Sequence, residues 1–258
     1  MSWGRSEIAQ YNWGVKTVRT MNDAEKTKEQ LQRELVGLRQ RVAALEEVET
    51  ERRRAEAQLS ESLERLRNAI EETVQAMALT VETRDPYTAG HQQRVAELAC
   101  AISREIGLSE DRIDGIRLAG VIHDIGKVYV PSEFLSKPTQ LSVLEFAIIK
   151  QHAQVGYEIL KGIDFPWPVS EAVLQHHERN DGSGYPQGLF SQDILKEAKI
   201  LAVADVVEAM SSHRPYHPAL GLETALEEIN QHKGLRYDPE AVNACSQLIA
   251  SRRFEFVN

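Results

Sequence analysis

The residues of this chain best suited to chemistry are its histidines. All eight lie after residue 90, and five of them accompany acidic residues at the predicted ends or inner faces of helices. These five are His91, His123 beside Asp124, His152, and the adjacent pair His176 and His177. Adjacent residues of a helix point about 100° apart, so each adjacent pair can face two different metal ions or opposite sides of a two-metal centre. The alternative for any one of them is a structural histidine whose nitrogens are hydrogen-bonded within the protein. This alternative explains poorly the pair of His123 with Asp124 and the pair of His176 with His177.

The donor types indicate a transition-metal site. Mixed imidazole and carboxylate ligands suit iron, manganese, nickel or zinc. A structural zinc site would favour cysteines instead, and Cys100 and Cys245 have no metal-ligand spacing. We expect these two cysteines to be buried thiols in a reducing compartment rather than a disulfide. The residues alone therefore predict a catalytic metal site.

Two sequence motifs resemble those of a known family. Residues 121–127 read VIHDIGK and resemble the HD-x-G-K element of the HD-superfamily phosphohydrolases. Residues 176–186 read HHERNDGSGYP and resemble the HHE-x-x-DG-x-GYP element that separates the HD-GYP family from the wider superfamily. The resemblance covers roughly residues 80–250. It implies a metal-dependent phosphodiesterase domain.

Carried over residue by residue, the resemblance implies seven metal ligands. They are His91, His123, Asp124, His152, His176, His177 and Asp205, with Asp124 bridging two ions. Without the resemblance, Asp205 would be interpreted as an ordinary helix carboxylate, although an unpaired charge among apolar residues is expensive. Some family members hold a third ion with a glutamate four residues before the first histidine, where this chain has Tyr87. We therefore predict two divalent ions, with iron or manganese expected ahead of nickel or zinc.

The activity that the resemblance implies is hydrolysis of cyclic di-GMP to the linear dinucleotide pGpG and, in a second step, to GMP. Two cations about 3.5–4 Å apart can hold a bridging hydroxide that attacks phosphorus in line. Lys127 follows Asp124 by three residues and shares its face if the helix continues. We assign Lys127 to phosphate binding and transition-state stabilisation, with a solvated surface lysine as the alternative. The sequence leaves one-step and two-step hydrolysis open.

Further candidate substrate contacts lie in two loops. Residues 214–216 resemble the RPY element of the family, in which Arg214 suits bidentate phosphate recognition and Tyr216 offers a face for a guanine base. Tyr185 is either a substrate contact or simple packing, and Asp181 is expected to orient a metal-binding histidine. Histidines flank the RPY element here, where the family often has Asp before it and Arg or Lys after it. This departure keeps open an alternative function, a catalytically weak binding or scaffold module that engages signalling proteins.

The sequence before residue 80 predicts a long helix with coiled-coil character. From about Lys28 to Thr80 it is rich in Glu, Arg, Gln, Ala and Leu, which are strong helix formers. Apolar residues at alternating gaps of three and four match the a and d positions of a heptad repeat. They are Leu31, Leu35, Leu38, Val42, Leu45, Leu59, Leu63, Leu66, Ile70 and Met77. The register passes through polar residues at Glu49, Arg52 and Glu56. We favour a parallel homodimer through this helix, with a single solvated helix as the alternative.

The predicted organisation has three parts: residues 1–27 of unknown role, a coiled-coil helix at 28–80, and an HD-GYP domain at 81–258. No alternating strand pattern follows Pro86, so we predict an all-α fold, an HD-type helical bundle preceded by the long helix. The formal net charge of −9 argues against a protein that coats DNA. We find no signal-peptide pattern and no run approaching the roughly 20 apolar residues of a membrane span, so we expect a cytoplasmic protein.

Overall fold

The computed structural model describes residues 26–85, 89–137, 139–212 and 221–256. Within these residues the regular structure is helical, apart from isolated β-bridges such as that between Asp181 and Phe190. The α-helices are α1 (Lys28–Glu82), α2 (His91–Ile106), α3 (Glu110–Ile122), α4 (Ser132–Leu135), α5 (Val143–Leu160), α6 (Val169–Gln175), α7 (Lys196–Ser211), α8 (Leu222–Gln231) and α9 (Pro239–Ala250). The predicted all-α class and the long N-terminal helix are confirmed.

The chain divides into two compact units, Met1–Leu66 and Arg67–Asn258. Helix α1 begins in the first unit and ends in the second. Among the described residues, no helix combines the length and the apolar character that a membrane crossing requires.

The described part of the first unit is the N-terminal portion of α1, and its apolar seam is exposed to solvent. The exposed fraction of the seam side chains in this unit runs from 40% at Leu31 to 68% at Leu45. In the middle of the seam, Arg52 pairs with Glu49 at 2.9 Å and with Glu56 at 2.5 Å on its own helix. An exposed seam of this kind fits the homodimer inferred from the sequence, which stays a prediction.

In the second unit, α7 lies in the middle of the core. It contacts α2, α6, α8 and α9. Its buried apolar residues cover every side of the helix: Ala198, Ile200, Leu201, Ala202, Val203, Ala204 and Val207. A helix that is apolar all round is a buried helix. Two acidic residues in this helix, Asp205 and Glu208, are therefore costly to bury and need partners.

Two helices of the second unit begin at start signals that lie in their own sequence. Helix α5 opens with a capping box, in which Ser142 Oγ accepts the N–H of Glu145 at 3.3 Å and the Glu145 carboxylate accepts that of Ser142 at 2.7 Å. The helix then continues to Leu160. The start of helix α9 is also encoded locally, because Asp238 caps it and Pro239 occupies its first turn.

A close backbone contact explains the glycine of the HD-x-G-K element. Gly126 lies in a 3-10 helix, Ile125–Tyr129, that packs against α5. A Cβ at Gly126 would overlap the carbonyl oxygen of His152 and lie 2.6 Å from the amide nitrogen of Gly156. Only glycine lets the two backbones approach this closely, and the approach brings the chain after Asp124 against the turn of α5 that carries His152.

We expect Gly126→Ala to lower the free energy of unfolding by about 1–3 kcal/mol or more, the range that overpacking usually costs. The new Cβ would meet main-chain atoms of His152 and Gly156, which cannot move aside as a flexible side chain can. Urea unfolding of the full chain, followed by circular dichroism, measures this. Gly162→Ala is the matched control, since a Cβ at Gly162 meets nothing within 4 Å. The control should be neutral or slightly stabilising. Equal unfolding midpoints for the two variants would contradict the close-approach explanation.

Candidate metal centre

Five helices bring the seven predicted ligands to one place in the second unit. The ligands are His91 at the start of α2, His123 and Asp124 after α3, His152 within α5, His176 and His177 after α6, and Asp205 within α7. His177 and Asp205 are half-buried, and the others are buried. Residues that are far apart in the chain therefore share one polar centre inside an apolar bundle.

The ligand atoms form two groups of three side chains, which are joined by a third group that contains His123, Asp124 and His176. Within each group of three side chains, one potential ligand atom per residue lies within 4.8 Å of the others; the groups are His91, His123 and Asp205, and His152, His176 and His177. Asp124 Oδ2 lies 3.7 Å from His123 Nε2, and its Oδ1 lies 3.5 Å from His152 Nε2. Imidazole nitrogens combined with carboxylate oxygens are a donor set that fits transition-metal ions.

Asp205 also faces both groups. Its Oδ1 lies 3.3 Å from His91 Nε2, and its Oδ2 lies 3.9 Å from His177 Nδ1. The two carboxylates thus stand on the boundary between the groups. Their negative charge would offset that of cations held on either side.

Backbone carbonyls fix the tautomer of three of the histidines. Nδ1 of His123 lies 2.7 Å from the Gly120 carbonyl oxygen, and Nδ1 of His152 lies 2.7 Å from that of Ile149. His176 makes the same contact, to the residue three positions before it. A carbonyl only accepts, so each Nδ1 carries the proton and each Nε2 presents its lone pair to the centre. Outer hydrogen bonds of this kind are the usual support of metal-binding histidines.

His91 is supported differently, by a carboxylate that the sequence analysis misses. As the first residue of α2, it directs its Nδ1 to Glu208 Oε2. Glu208 is buried and also accepts hydrogen bonds from Arg94 Nε at 2.7 Å and Ser212 Oγ at 2.6 Å. The sequence does mark Glu208 as unusual, because it is a second acidic residue in an apolar helix, three positions after Asp205.

The protonation states suit ion binding, with one exception. Burial, together with the neighbouring His123 and His152, lowers the pKa of His176 to about 3. Burial opposes ionisation of Asp124, but Lys127 and the surrounding histidines hold the pKa of that carboxyl well below its usual range. Neutral imidazoles and ionised carboxylates are the forms that bind metals. His91 is the exception: burial acts to lower its pKa, but hydrogen bonds to Asp205 and Glu208 outweigh burial and raise it to about 9.

Lys127 lies beside the centre and is mostly buried, with 14% of its side chain exposed, so it is not a solvated surface lysine. Its Nζ lies 2.7 Å from Asp124 Oδ2 and 3.2 Å from Asp85 Oδ2. The helix does not continue as α-helix, since α3 ends at Ile122 and a 3-10 helix follows. Residues three apart in a 3-10 helix stand one above the other, so the predicted pairing with Asp124 persists. Burial acts to lower the pKa of Lys127, but the two carboxylates outweigh burial and raise it, so the ammonium group is charged.

The loop at residues 178–190 is held by Glu178, whose buried carboxylate accepts backbone N–H groups. The donors are Gln187 at 2.7 Å, Gly188 at 3.2 Å and Leu189 at 2.9 Å. Gly184 lies against the backbone of Glu178, where a Cβ would overlap main-chain atoms. The loop is therefore fixed in shape by an internal carboxylate that the sequence analysis misses.

Two side chains of this loop behave differently from each other. The Tyr185 ring packs on the His177 ring with centroids 4.6 Å apart, so Tyr185 forms a wall of the metal centre. Asp181 Oδ1 instead accepts hydrogen bonds from the N–H and Oγ of Ser183. Among the described residues no hydrogen bond or ion pair joins Asp181 to a histidine, so the prediction that it orients one is wrong.

Three residues of the sequence analysis lie outside the described residues. These are Tyr87, which carried the argument against a third ion, and the candidate substrate contacts Arg214 and Tyr216. Their roles stay predictions.

Comparison with known proteins gives a consistent picture. The family model described as HD domain matches residues 75–241. The cyclic di-GMP phosphodiesterase response regulator RpfG of Xanthomonas campestris pv. campestris (strain 8004) is 37% identical over 83% of this chain and 55% of its own length. A cyclic di-GMP phosphodiesterase of Thermotoga maritima is 41% identical over 69% of this chain and 49% of its own length. The 3′3′-cGAMP-specific phosphodiesterase 2 of Vibrio cholerae is 37% identical over 69% of this chain and 34% of its own length. This chain thus spans about half, or less, of the curated relatives that it matches.

A solved structure agrees on the fold. Bd1817, a HDG"Y"P protein from Bdellovibrio bacteriovorus, is similar with a TM-score of 0.52 over 62% of this chain and 51% of that one. At 18% identity this likeness concerns the fold alone. It supports the helical bundle predicted from the sequence.

We expect Glu208→Gln to weaken metal binding by about 10- to 100-fold, because it removes the charge that supports His91. The measurement is the metal content of the purified protein in chelator-buffered Mn(II), read by elemental analysis. Glu197→Gln is the matched control: Glu197 is also on α7 and also pairs with an arginine, Arg112, but it lies away from the centre. An affinity equal to that of the unaltered protein would contradict the role of Glu208.

Proposed function

This chain belongs to the HD domain family and to its HD-GYP branch, and from that membership we propose that it hydrolyses cyclic di-GMP to the linear dinucleotide pGpG. Hydrolysis of one 3′–5′ phosphodiester bond opens the ring, and a second hydrolysis would give GMP. The observation that carries the proposal is the convergence of seven ligand-type residues beside the buried Lys127. The names of two relatives, both cyclic di-GMP phosphodiesterases, support the reaction class.

The proposed cofactors are two divalent ions, iron or manganese ahead of nickel or zinc. One group, of His91, His123 and Asp205, would hold the first ion, and the group of His152, His176 and His177 would hold the second. The position of Asp124, with one oxygen toward each group, supports its role as the bridging ligand. When bound, such ions would activate a water molecule for attack and neutralise charge on the phosphoryl oxygens.

Lys127 is the proposed catalytic cation of the chain itself. Its ammonium group is charged, mostly removed from water and held beside Asp124 by Asp85. A fixed positive charge in a poorly solvated site stabilises the negative charge that grows on a phosphoryl group during its transfer. Lys127 is also the proposed donor of a proton to the departing ribose oxygen. Tyr185 would limit the space beside His177, and Arg214 and Tyr216 are the proposed further substrate contacts.

The choice of cyclic di-GMP over a related dinucleotide is part of the proposal. The relative named for 3′3′-cGAMP is as similar to this chain, at 37% identity, as the response regulator named for cyclic di-GMP. Identity alone therefore does not separate the two substrates. The relative of highest identity among these three, at 41%, is named for cyclic di-GMP. This favours cyclic di-GMP, with 3′3′-cGAMP as the substrate to test beside it.

The alternative is a catalytically weak module that binds the nucleotide or engages signalling proteins. A module that only binds would need neither a complete ligand set nor a buried lysine beside the bridging carboxylate. Asp124 is buried and Lys127 is mostly buried, at a cost in desolvation that ligand binding alone does not explain. The intact centre therefore favours hydrolysis.

The decisive assay uses anaerobic protein loaded separately with Fe(II) and Mn(II), with products separated by chromatography. The unaltered protein should convert cyclic di-GMP to pGpG, and faster than it converts 3′3′-cGAMP. Lys127→Ala should lower kcat by about 100- to 1,000-fold at unchanged metal content, because it removes one preorganised charge. Asp124→Ala should lose both activity and metal. If the unaltered protein is fully loaded with metal and gives no product, the proposed hydrolysis is refuted and the binding module is the remaining function.

The homodimer through α1 is a separate prediction. Light scattering at micromolar concentration should give twice the 29.1 kDa mass of one chain. Leu63→Glu should shift the mass toward one chain, because it places like charges in the apolar seam. Gln58→Glu, an exposed substitution on the same helix but off the seam, is the matched control. A monomeric unaltered protein would contradict the prediction.

A further inference from the structure

One cation at the edge of the metal centre has no part in the mechanism proposed above. Lys150 is a half-buried residue of α5, two positions before His152. Its Nζ lies 4.8 Å from the centroid of the Phe146 ring and 5.0 Å from that of Tyr185. The Tyr185 ring in turn packs on His177. Lys150 is therefore separated from a candidate metal ligand by a single aromatic ring.

The charge of Lys150 is not balanced by a carboxylate in the described part of the chain. Other lysines near this surface are paired, as Lys137 is with Glu145 and Lys161 with Glu158. The contacts of Lys150 are the faces of two aromatic rings. Such contacts hold an ammonium group in place without neutralising it. A positive charge held in this way at the edge of a site for anionic substrates is available to an anion.

The chemistry of a cyclic dinucleotide supplies that anion. The molecule carries two phosphodiester groups on one ring, and only one of them can occupy the metal centre at a time. The other would lie outside the metal centre, and it carries a full negative charge. A fixed cation beside the centre would recognise this second phosphate and would give no advantage to a simple phosphodiester.

We propose that Lys150 binds the phosphate that is not being cleaved and so selects substrates with two linked phosphodiesters. The inference rests on the proposed function, since it assigns a residue to the same site. Phe146 and Tyr185 hold the ammonium group, and the metal centre holds the phosphate under attack. Loss of one charge-assisted hydrogen bond to phosphate corresponds to about a 10- to 100-fold loss of affinity.

The test compares two substrates, cyclic di-GMP and bis(p-nitrophenyl) phosphate, which has a single phosphodiester. Lys150→Met keeps the apolar stem and removes the charge, while Lys150→Arg keeps the charge. For Lys150→Met we expect KM for cyclic di-GMP to rise by about 10- to 100-fold, with kcat changed little. The ratio of kcat/KM for cyclic di-GMP to that for the simple ester should fall by the same factor. Lys150→Arg should keep this ratio close to that of the unaltered protein.

Lys161→Met is the matched control, because Lys161 follows the last residue of the same helix and lies 5.9 Å from the centroid of another ring, that of Tyr157. It should leave both substrates unaffected. An unchanged ratio for Lys150→Met overturns the inference, whether both rates fall together or neither falls. If the unaltered protein hydrolyses neither substrate, the proposed function fails. The role of Lys150 is then tested by equilibrium binding of cyclic di-GMP. A 10- to 100-fold weaker Kd for Lys150→Met then supports the inference, and an equal Kd overturns it.

Discussion

Asp124 keeps a negative charge inside a bundle of apolar helices, and the parts of the second unit around it are arranged to make that charge tolerable. A buried carboxylate is stable only when it is paired and hydrogen-bonded. Lys127 supplies the ion pair at 2.7 Å, and imidazoles of two separate helical segments face the two oxygens. The close approach at Gly126 makes this possible, because it brings the turn after α3 against the backbone of α5. The same arrangement that stabilises the carboxylate also presents it to cations on both sides.

Much of the site could be predicted from the sequence, because its ligands lie in short motifs with a fixed order. The adjacent pairs at His123 and His176 identify themselves by residue type and spacing. The residues that support the ligands are different. Glu208 and Asp85 act on His91 and Lys127 across separations of 117 and 42 residues. Periodicity and local motifs carry no information about such pairs, and only the packing of α2 against α7 brings the first of them together.

The fold shows the same division between local and distant information. Helix α5 begins at a capping box that four residues encode, so its start could be predicted. Helix α6 has only seven residues and is held by its neighbours α3, α5 and α7 rather than by a pattern of its own. Asp181 illustrates the opposite error. Its place in a motif suggested a contact with a histidine, whereas its carboxylate is satisfied by Ser183, two residues away.

The hydrogen-bond partner of each histidine decides which of its two nitrogens carries a proton. His123, His152 and His176 have a carbonyl three residues earlier to accept their Nδ1 proton, whereas His91 opens its helix and relies on Glu208. Because its folded pKa of about 9 lies above the usual value, protonated His91 stabilises the fold below pH 6.5, and this stability is lost as pH rises toward 9. The effect of His176 on stability has the opposite sign. Because its folded pKa of about 3 lies below the usual value, the folded state loses stability as pH falls below 6.5. At neutral pH a cation therefore meets a neutral His176 but must displace a proton from His91. An ion held beside His91 would therefore compete with this proton, and the competition would weaken as pH rises toward 9.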